Sequence, residues 1–136
     1  MILAGYSGTP LSKKLGIKPG SKVLLIDAPP GLEEVLAPLP EAVEFVSRLS
    51  ETTDLVQFFS TKKPRLMARL PLIRKKMRAD ATVWVCWPKK SSGVQSDITE
   101  DIVREIALPL GLVDVKVCAI DNVWSGLKLV LRKELR

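Results

Sequence analysis

Histidine is absent from this chain of 136 residues. Its absence removes Ser-His and Cys-His nucleophile pairs, zinc-protease helices and most catalytic zinc sites in one step. Any reaction would have to use Lys, Asp, Glu, Ser, Tyr or Cys side chains. Cysteine is scarce as well: Cys86 and Cys118 stand among Val, Trp and Ala with no metal or redox spacing, and they read as small buried apolar side chains. Neither has a neighbouring base, so neither is expected to act as a nucleophile. No apolar run approaches the roughly 18 residues that span a bilayer, and the stretch 1–4 is too short for a signal-peptide core. The expected location is cytoplasmic, without a membrane span, and no metal or cofactor is expected.

What the chain does have is enough apolar residues, 46%, to bury a core without disulfides, so a single α/β domain over 1–136 is expected. The net charge of +6 is unevenly placed. Lys62, Lys63, Arg65, Arg69, Arg74, Lys75, Lys76 and Arg78 form one basic block with no acid among them, and without it the remainder of the chain is net acidic.

The longest consistent pattern lies over residues 83–131: a buried apolar run, a basic Gly-Ser loop at Lys89-Lys90-Ser91-Ser92-Gly93, an amphipathic helix, and two alternating runs. Earlier in the chain, Thr9-Pro10 opens a short helix closed by Gly16. Residues 23–26 form a continuous apolar strand, and Leu32, Val35 and Leu36 share a helical face behind the Pro29-Pro30-Gly31 turn. Residues 43–46 and 54–59 read as two more strands, although the link between them is short for a parallel crossover. Leu66, Leu70, Ile73 and Met77 mark one face of a helix opened by Pro64, in which Pro71 predicts a kink or a break.

Asp97 with Glu100 resembles a capping box for the helix carrying Ile98, Ile102, Val103 and Ile106. Val113, Val115, Val117 and Ala119 then alternate with polar residues, as do Leu127, Leu129 and Leu131, and residues 121–125 join the two runs as a hairpin loop. Strands alternating with helices and closed by a hairpin predict a small three-layer Rossmann-like α/β fold, its sheet mostly parallel with a C-terminal antiparallel hairpin.

Two blocks carry a resemblance. Tyr6-Ser7-Gly8-Thr9-Pro10-Leu11, together with Trp87-Pro88-Lys89-Lys90, Gly111-Leu112-Val113-Asp114 and Trp124-Ser125-Gly126-Leu127, is similar to a family of short bacterial proteins catalogued as a domain of unknown function, over nearly the whole chain. That resemblance implies no particular chemistry. A fainter one is to the Rossmann-like methyltransferases: Ile17-Lys18-Pro19-Gly20 before Val23-Leu24-Leu25-Ile26-Asp27 looks like the approach to their first strand. It implies a glycine-rich cofactor loop after that strand. This chain has Ala28-Pro29-Pro30-Gly31 followed by Glu33 and Glu34, where two N–H donors are missing and two acids oppose an anionic group, so the standard cofactor site reads as lost.

Three Ser-Gly steps, Ser7-Gly8, Ser92-Gly93 and Ser125-Gly126, fall where helix starts and strand ends should share the C-terminal rim of the sheet. The expected ligand site there comprises Tyr6, Ser7, Gly8, Thr9, Lys89, Lys90, Ser92, Gly93, Asp121, Trp124 and Ser125, with lysine supplying charge and Tyr6 and Trp124 the walls. The alternative is independent tight turns in which each serine is a local cap. The basic block is either a solvated helix face or a weak, salt-sensitive contact for nucleic acid. The leading expectation is a non-catalytic binding or accessory protein for an anionic small molecule or a protein partner. The second is a transferase-type enzyme with an unconventional cofactor site using Lys89, Asp121 and Ser125.

Overall fold

The computed structural model describes residues 9–136. In chain order the elements are α1 Leu11–Leu15, β1 Lys22–Ile26, α2 Leu32–Leu36, β2 Glu44–Val46, β3 Leu55–Phe59, α3 Lys63–Lys76, β4 Thr82–Pro88, α4 Glu100–Ala107, β5 Leu112–Ala119 and β6 Trp124–Leu131. The six strands form one sheet in the order β2-β1-β3-β4-β6-β5. The first four are parallel, and β6 runs antiparallel to both β4 and β5. This is the Rossmann-like α/β architecture expected from the alternating pattern, with the C-terminal hairpin at the sheet's edge.

Two apolar layers flank the sheet. On one face Leu66, Leu70 and Ile73 of α3 and Val103 and Ala107 of α4 pack on Val56, Phe58, Val83, Val85, Leu127 and Leu129. On the other, Leu15 of α1 and Leu32 and Leu36 of α2 cover Val23, Leu55, Phe59, Trp84 and Cys86. Strands β3 and β4 have helices on both sides and are therefore apolar at nearly every position, as a doubly covered parallel strand must be. The exception is Gln57, wholly buried at the centre of β3, whose amide nitrogen and oxygen both lack a hydrogen-bond partner among the described residues.

The short link between β2 and β3 resolves through topology. These strands are not neighbours; β1 lies between them. Eight residues separate Val46 from Leu55, and at about 3.3 Å each they reach roughly 26 Å. That suffices to return along the three residues of β2, about 10 Å, and to step two strand spacings sideways, about 10 Å more. No crossover helix is needed because β2 is so short.

Four local expectations are corrected. The N-cap of α1 is Pro10, without a side-chain cap, so Thr9 does not close that helix end. Helix α3 runs through Pro71 as one helix and not two, and the carbonyl deprived of its partner belongs to Met67, a residue 53% exposed. Helix α4 is capped by Thr99, whose Oγ1 accepts from the Ile102 N–H at 3.2 Å, while Asp97 accepts from the Lys63 N–H at 2.6 Å and so caps α3 instead. Finally, β6 begins at Trp124, so Trp124 and Ser125 belong to a strand and not to the hairpin loop.

The alternation read for β5 also breaks. A bulge between Asp114 and Lys116 reverses which residues face the core, and Asp114 reaches Arg104 of α4 at 2.9 Å. Val115 and Val117 are left 52% and 47% exposed on the edge strand.

Candidate functional site

Strand order reverses direction between β1 and β3: from β1 the chain goes to β2 on one side, then to β3 on the other. In open α/β sheets the crevice outside the carboxyl ends of two such strands is the favoured ligand site. Here those ends are Asp27, just past β1, and Phe59 and Ser60 at the end of β3. With Thr61, Lys62, Arg65 and Trp124 they line a cavity of about 200 Å³.

Asp27 adopts a positive φ of 55°, in the left-handed region that costs most residues about 1 kcal/mol or more but that Asp tolerates better. Its Oδ2 receives both Nε of Arg65 at 2.8 Å and the second guanidinium nitrogen at 2.7 Å. Among the described residues Oδ1 has no such partner, which leaves one carboxylate oxygen able to accept from a bound molecule. Arg65 reaches it from the first turn of α3, which begins immediately after the β3 end. Trp124, at the start of β6, packs edge-on against Phe59 with ring centroids 5.2 Å apart, and so forms the apolar wall. Ser60 is buried and turned inward on its own loop: its Oγ donates to the Lys62 carbonyl at 3.1 Å and accepts from the Lys62 N–H at 3.2 Å.

The residues expected at the rim are distributed differently. Tyr6, Ser7 and Gly8 lie outside the described residues. Lys89 is committed to structure: its N–H donates to the Val123 carbonyl at 2.7 Å and its Nζ to the Asp121 carbonyl at 2.9 Å, tying the end of β4 to the hairpin turn. Asp121 Oδ1 accepts from the Val123 and Trp124 N–H groups, each at 2.8 Å, and so builds that turn. Ser92 Oγ donates to the Lys89 carbonyl at 2.6 Å, and Gly93 takes φ 78° at the end of the 3-10 turn Lys90–Ser92. Ser92 and Ser125 do lie at the same end of the sheet, since Ser125 pairs with Trp87 near the end of β4. Gly126 offers no ligand access, because a Cβ there would stand 3.1 Å from the Trp84 ring.

The basic block is divided by the helix that carries it. Arg65 pairs with Asp27, Arg78 with Asp54 and Asp80, and Arg74 Nε donates to the Leu110 carbonyl at 2.8 Å. Lys62 lines the cleft, Arg69 and Lys76 face a groove on the β1 side, Lys63 is half-buried and Lys75 is exposed. The eight cations do not make one continuous strip.

Sequence reasoning passed over Asp27, Phe59, Ser60 and Thr61, and met Arg65 only as one charge in a run. The available signal was position: a carboxylate directly after the first strand, on a sheet whose order was not yet known. Cys86 is completely buried, and that burial raises its thiol pKa far above the ordinary value. No group of three or more potential metal ligands occurs among the described residues.

No family model and no curated protein matches this sequence. Solved structures do match its fold. A SAM dependent methyltransferase from Aquifex aeolicus is 14% identical, with a TM-score of 0.58 over 90% of this chain and 88% of that one. Magnesium protoporphyrin IX methyltransferase from Synechocystis, with bound SAH, is 11% identical, with a TM-score of 0.54 over 90% and 78%. The fibrillarin pre-rRNA processing protein of Methanococcus jannaschii is 14% identical, with a TM-score of 0.53 over 96% and 70%. At these identities the likeness is one of fold.

The comparisons correct the leading expectation. A non-catalytic accessory protein is not what the whole-chain likenesses favour; they run to methyltransferases, and it is the second expectation, a transferase-type enzyme, that agrees with them. The donor of those enzymes does not fit the first loop of this chain. Pro29 and Pro30 have no N–H, the Leu32 N–H bonds back to the Pro29 carbonyl, and the Val35 N–H to that of Gly31. Glu33 and Glu34 fill the first turn behind them.

Among the described residues no helix is long and apolar enough to cross a membrane.

Proposed function

We propose that this chain is a transferase-type enzyme acting on a small molecule, with its reacting end in the cleft of Asp27, Lys62, Arg65 and Trp124. One observation carries the reading. The switch point of a sheet whose fold is shared with methyltransferases ends in a carboxylate with one oxygen unpaired among the described residues, beside an aromatic wall. A direct transfer between two bound partners needs no protein nucleophile; holding the partners in line supplies much of the rate. That suits a chain without histidine and with a buried Cys86.

The parts then have separate tasks. Asp27 Oδ1 accepts a hydrogen bond, or a proton, from a hydroxyl or amine of the acceptor. Arg65 fixes the orientation of that carboxylate, Lys62 offers a cation to an anionic part of the ligand, and Trp124 with Phe59 excludes water on one side. A cavity of about 200 Å³ holds the reacting end only, since whole small-molecule sites run to about 300–1,000 Å³. No step is assigned to SAM, because the loop 28–31 does not supply the donors that would hold it.

Native mass spectrometry of the chain purified from cells tests this. A co-purifying small molecule is expected, lost in Asp27→Asn and in Trp124→Ala but kept in Ser92→Ala, and consumed when an acceptor is supplied. Retention of the molecule in both cleft variants would refute the site. Calorimetry with SAM is expected to show no micromolar binding; tight binding abolished by changes at 28–31 would return the donor to the first loop.

A further inference from the structure

The connection 47–54 crosses the sheet without a helix and leaves a groove of about 510 Å³ between itself and α3. Its walls are apolar, from Leu24, Ile26, Leu49 and Ile73, and Leu72 at its edge is 58% exposed. Three cations line the same groove: Arg48 from the connection, and Arg69 and Lys76 from α3. Arg69, Ile73 and Lys76 stand four and three residues apart, so they form one stripe of the helix.

Arg65 and Arg74 of α3, and Arg78 just beyond it, each have a carboxylate or carbonyl partner, whereas the side chains of Arg48, Arg69 and Lys76, like those of Lys63 and Lys75, have none among the described residues; only the first three of these five converge on a groove. The one acid in the groove is Asp27, already held by Arg65.

We propose that this groove binds a phosphorylated small molecule with an apolar body. Two guanidinium forks match phosphate oxygens, and three cations suit a group carrying about −1.5 to −2 charges near neutral pH better than they suit a carboxylate. The apolar walls and Leu72 then cover the rest of the ligand. The volume lies within the range of small-ligand sites. Nucleic acid fits less well, because no aromatic side chain lines the groove to stack a base. The groove meets the transferase cleft at Asp27, which lines both, but Phe59, Lys62, Arg65 and Trp124 do not line it, and phosphate binding by Arg48, Arg69 and Lys76 stands whether or not that cleft catalyses a reaction.

The probe is 1-naphthyl phosphate, compared with 1-naphthol and with inorganic phosphate, titrated into the full chain by calorimetry. Naphthyl phosphate is expected to bind most tightly, and the double variant Arg48→Gln with Arg69→Gln to weaken it by about tenfold or more. Arg69→Lys, which keeps the charge and removes the fork, is expected to lose part of that affinity and serves if the double variant does not fold. Lys75→Gln, outside the groove, is expected to change nothing. The proposal is overturned if naphthyl phosphate does not bind, if naphthol binds as well, or if Lys75→Gln weakens binding as much as the groove variants. It is overturned equally if a single-stranded oligonucleotide binds more tightly and every lysine of α3 contributes alike, which would mark a nucleic-acid surface.

Discussion

The indole Nε1 of Trp84 donates to the main-chain carbonyl of Leu15 at 2.9 Å, joining the centre of the sheet to the last turn of α1 across 69 residues of sequence. Both groups are buried, and the carbonyl is one that a helix end leaves without an internal partner. Trp84→Phe keeps most of the apolar ring but strands that oxygen. A loss of about 1–3 kcal/mol is expected in denaturant unfolding.

Gly126 lies opposite Cys86 in the β4–β6 pair. An added Cβ would come within 3.1 Å of Trp84, 3.3 Å of Cys86 Sγ and 3.3 Å of Ile120. Gly126→Ala is therefore expected to destabilise by about 1–3 kcal/mol through overpacking. Cys86→Ala, which removes one of the three obstacles, should recover part of the loss in a double-mutant cycle.

Asp97 is predicted to protect α3 and not α4. Asp97→Ala should cost about 0.5–2 kcal/mol, as other lost caps do. Hydrogen exchange should quicken at the amides of Lys63 and its neighbours, with the amides of α4 unchanged; faster exchange at Ile102 alone would contradict the assignment. Thr99→Ala should show the reverse pattern.

Acid should weaken the fold through Asp54. Burial pushes its carboxyl pKa up, but the Lys22 N–H at 2.8 Å and the Arg78 guanidinium at 2.8 Å outweigh that and hold it below 3.8. Arg104 likewise lowers Asp114. A carboxylate whose folded pKa lies below its unfolded value stabilises the fold above the unfolded value, and this is lost as pH falls through the folded one. Unfolding free energy should thus decline below about pH 4. Asp54→Asn should be less stable at pH 7 and lose less on acidification.

Lys128 behaves oppositely. Burial first, then the nearby charges of Lys116 and Lys18, lower its pKa, and Lys116 stands directly across from it on β5. The protonated amine is a cost to the folded state that is fully present below its folded pKa and fades as pH rises towards the unfolded value. Lys128→Met should raise the melting temperature at neutral pH by about 1–2 °C. Added salt should narrow the difference between the two proteins.

The sequence on its own determined the elements and the fold class. Periods of two and of three to four residues are set by the geometry of single strands and helices, and the runs at 23–26, 55–59 and 83–87 are apolar at every position but Gln57 because helices cover both faces. Strand order around residues 43–60 was not legible, because eight residues with no pattern of their own can turn either way until β2 is known to be an edge strand. Likewise Asp97 reads as the cap of the helix that follows it, yet its carboxylate serves Lys63, 34 residues earlier, because folding sets the start of α3 beside it. The alternation of β5 was broken by a bulge that lets Asp114 meet Arg104, an attraction across space that a period of two does not register. The candidate site belongs wholly to the tertiary structure: Asp27, Arg65 and Trp124 come from three separate stretches of chain, and only the reversal of strand order between β1 and β3 brings their ends to one crevice.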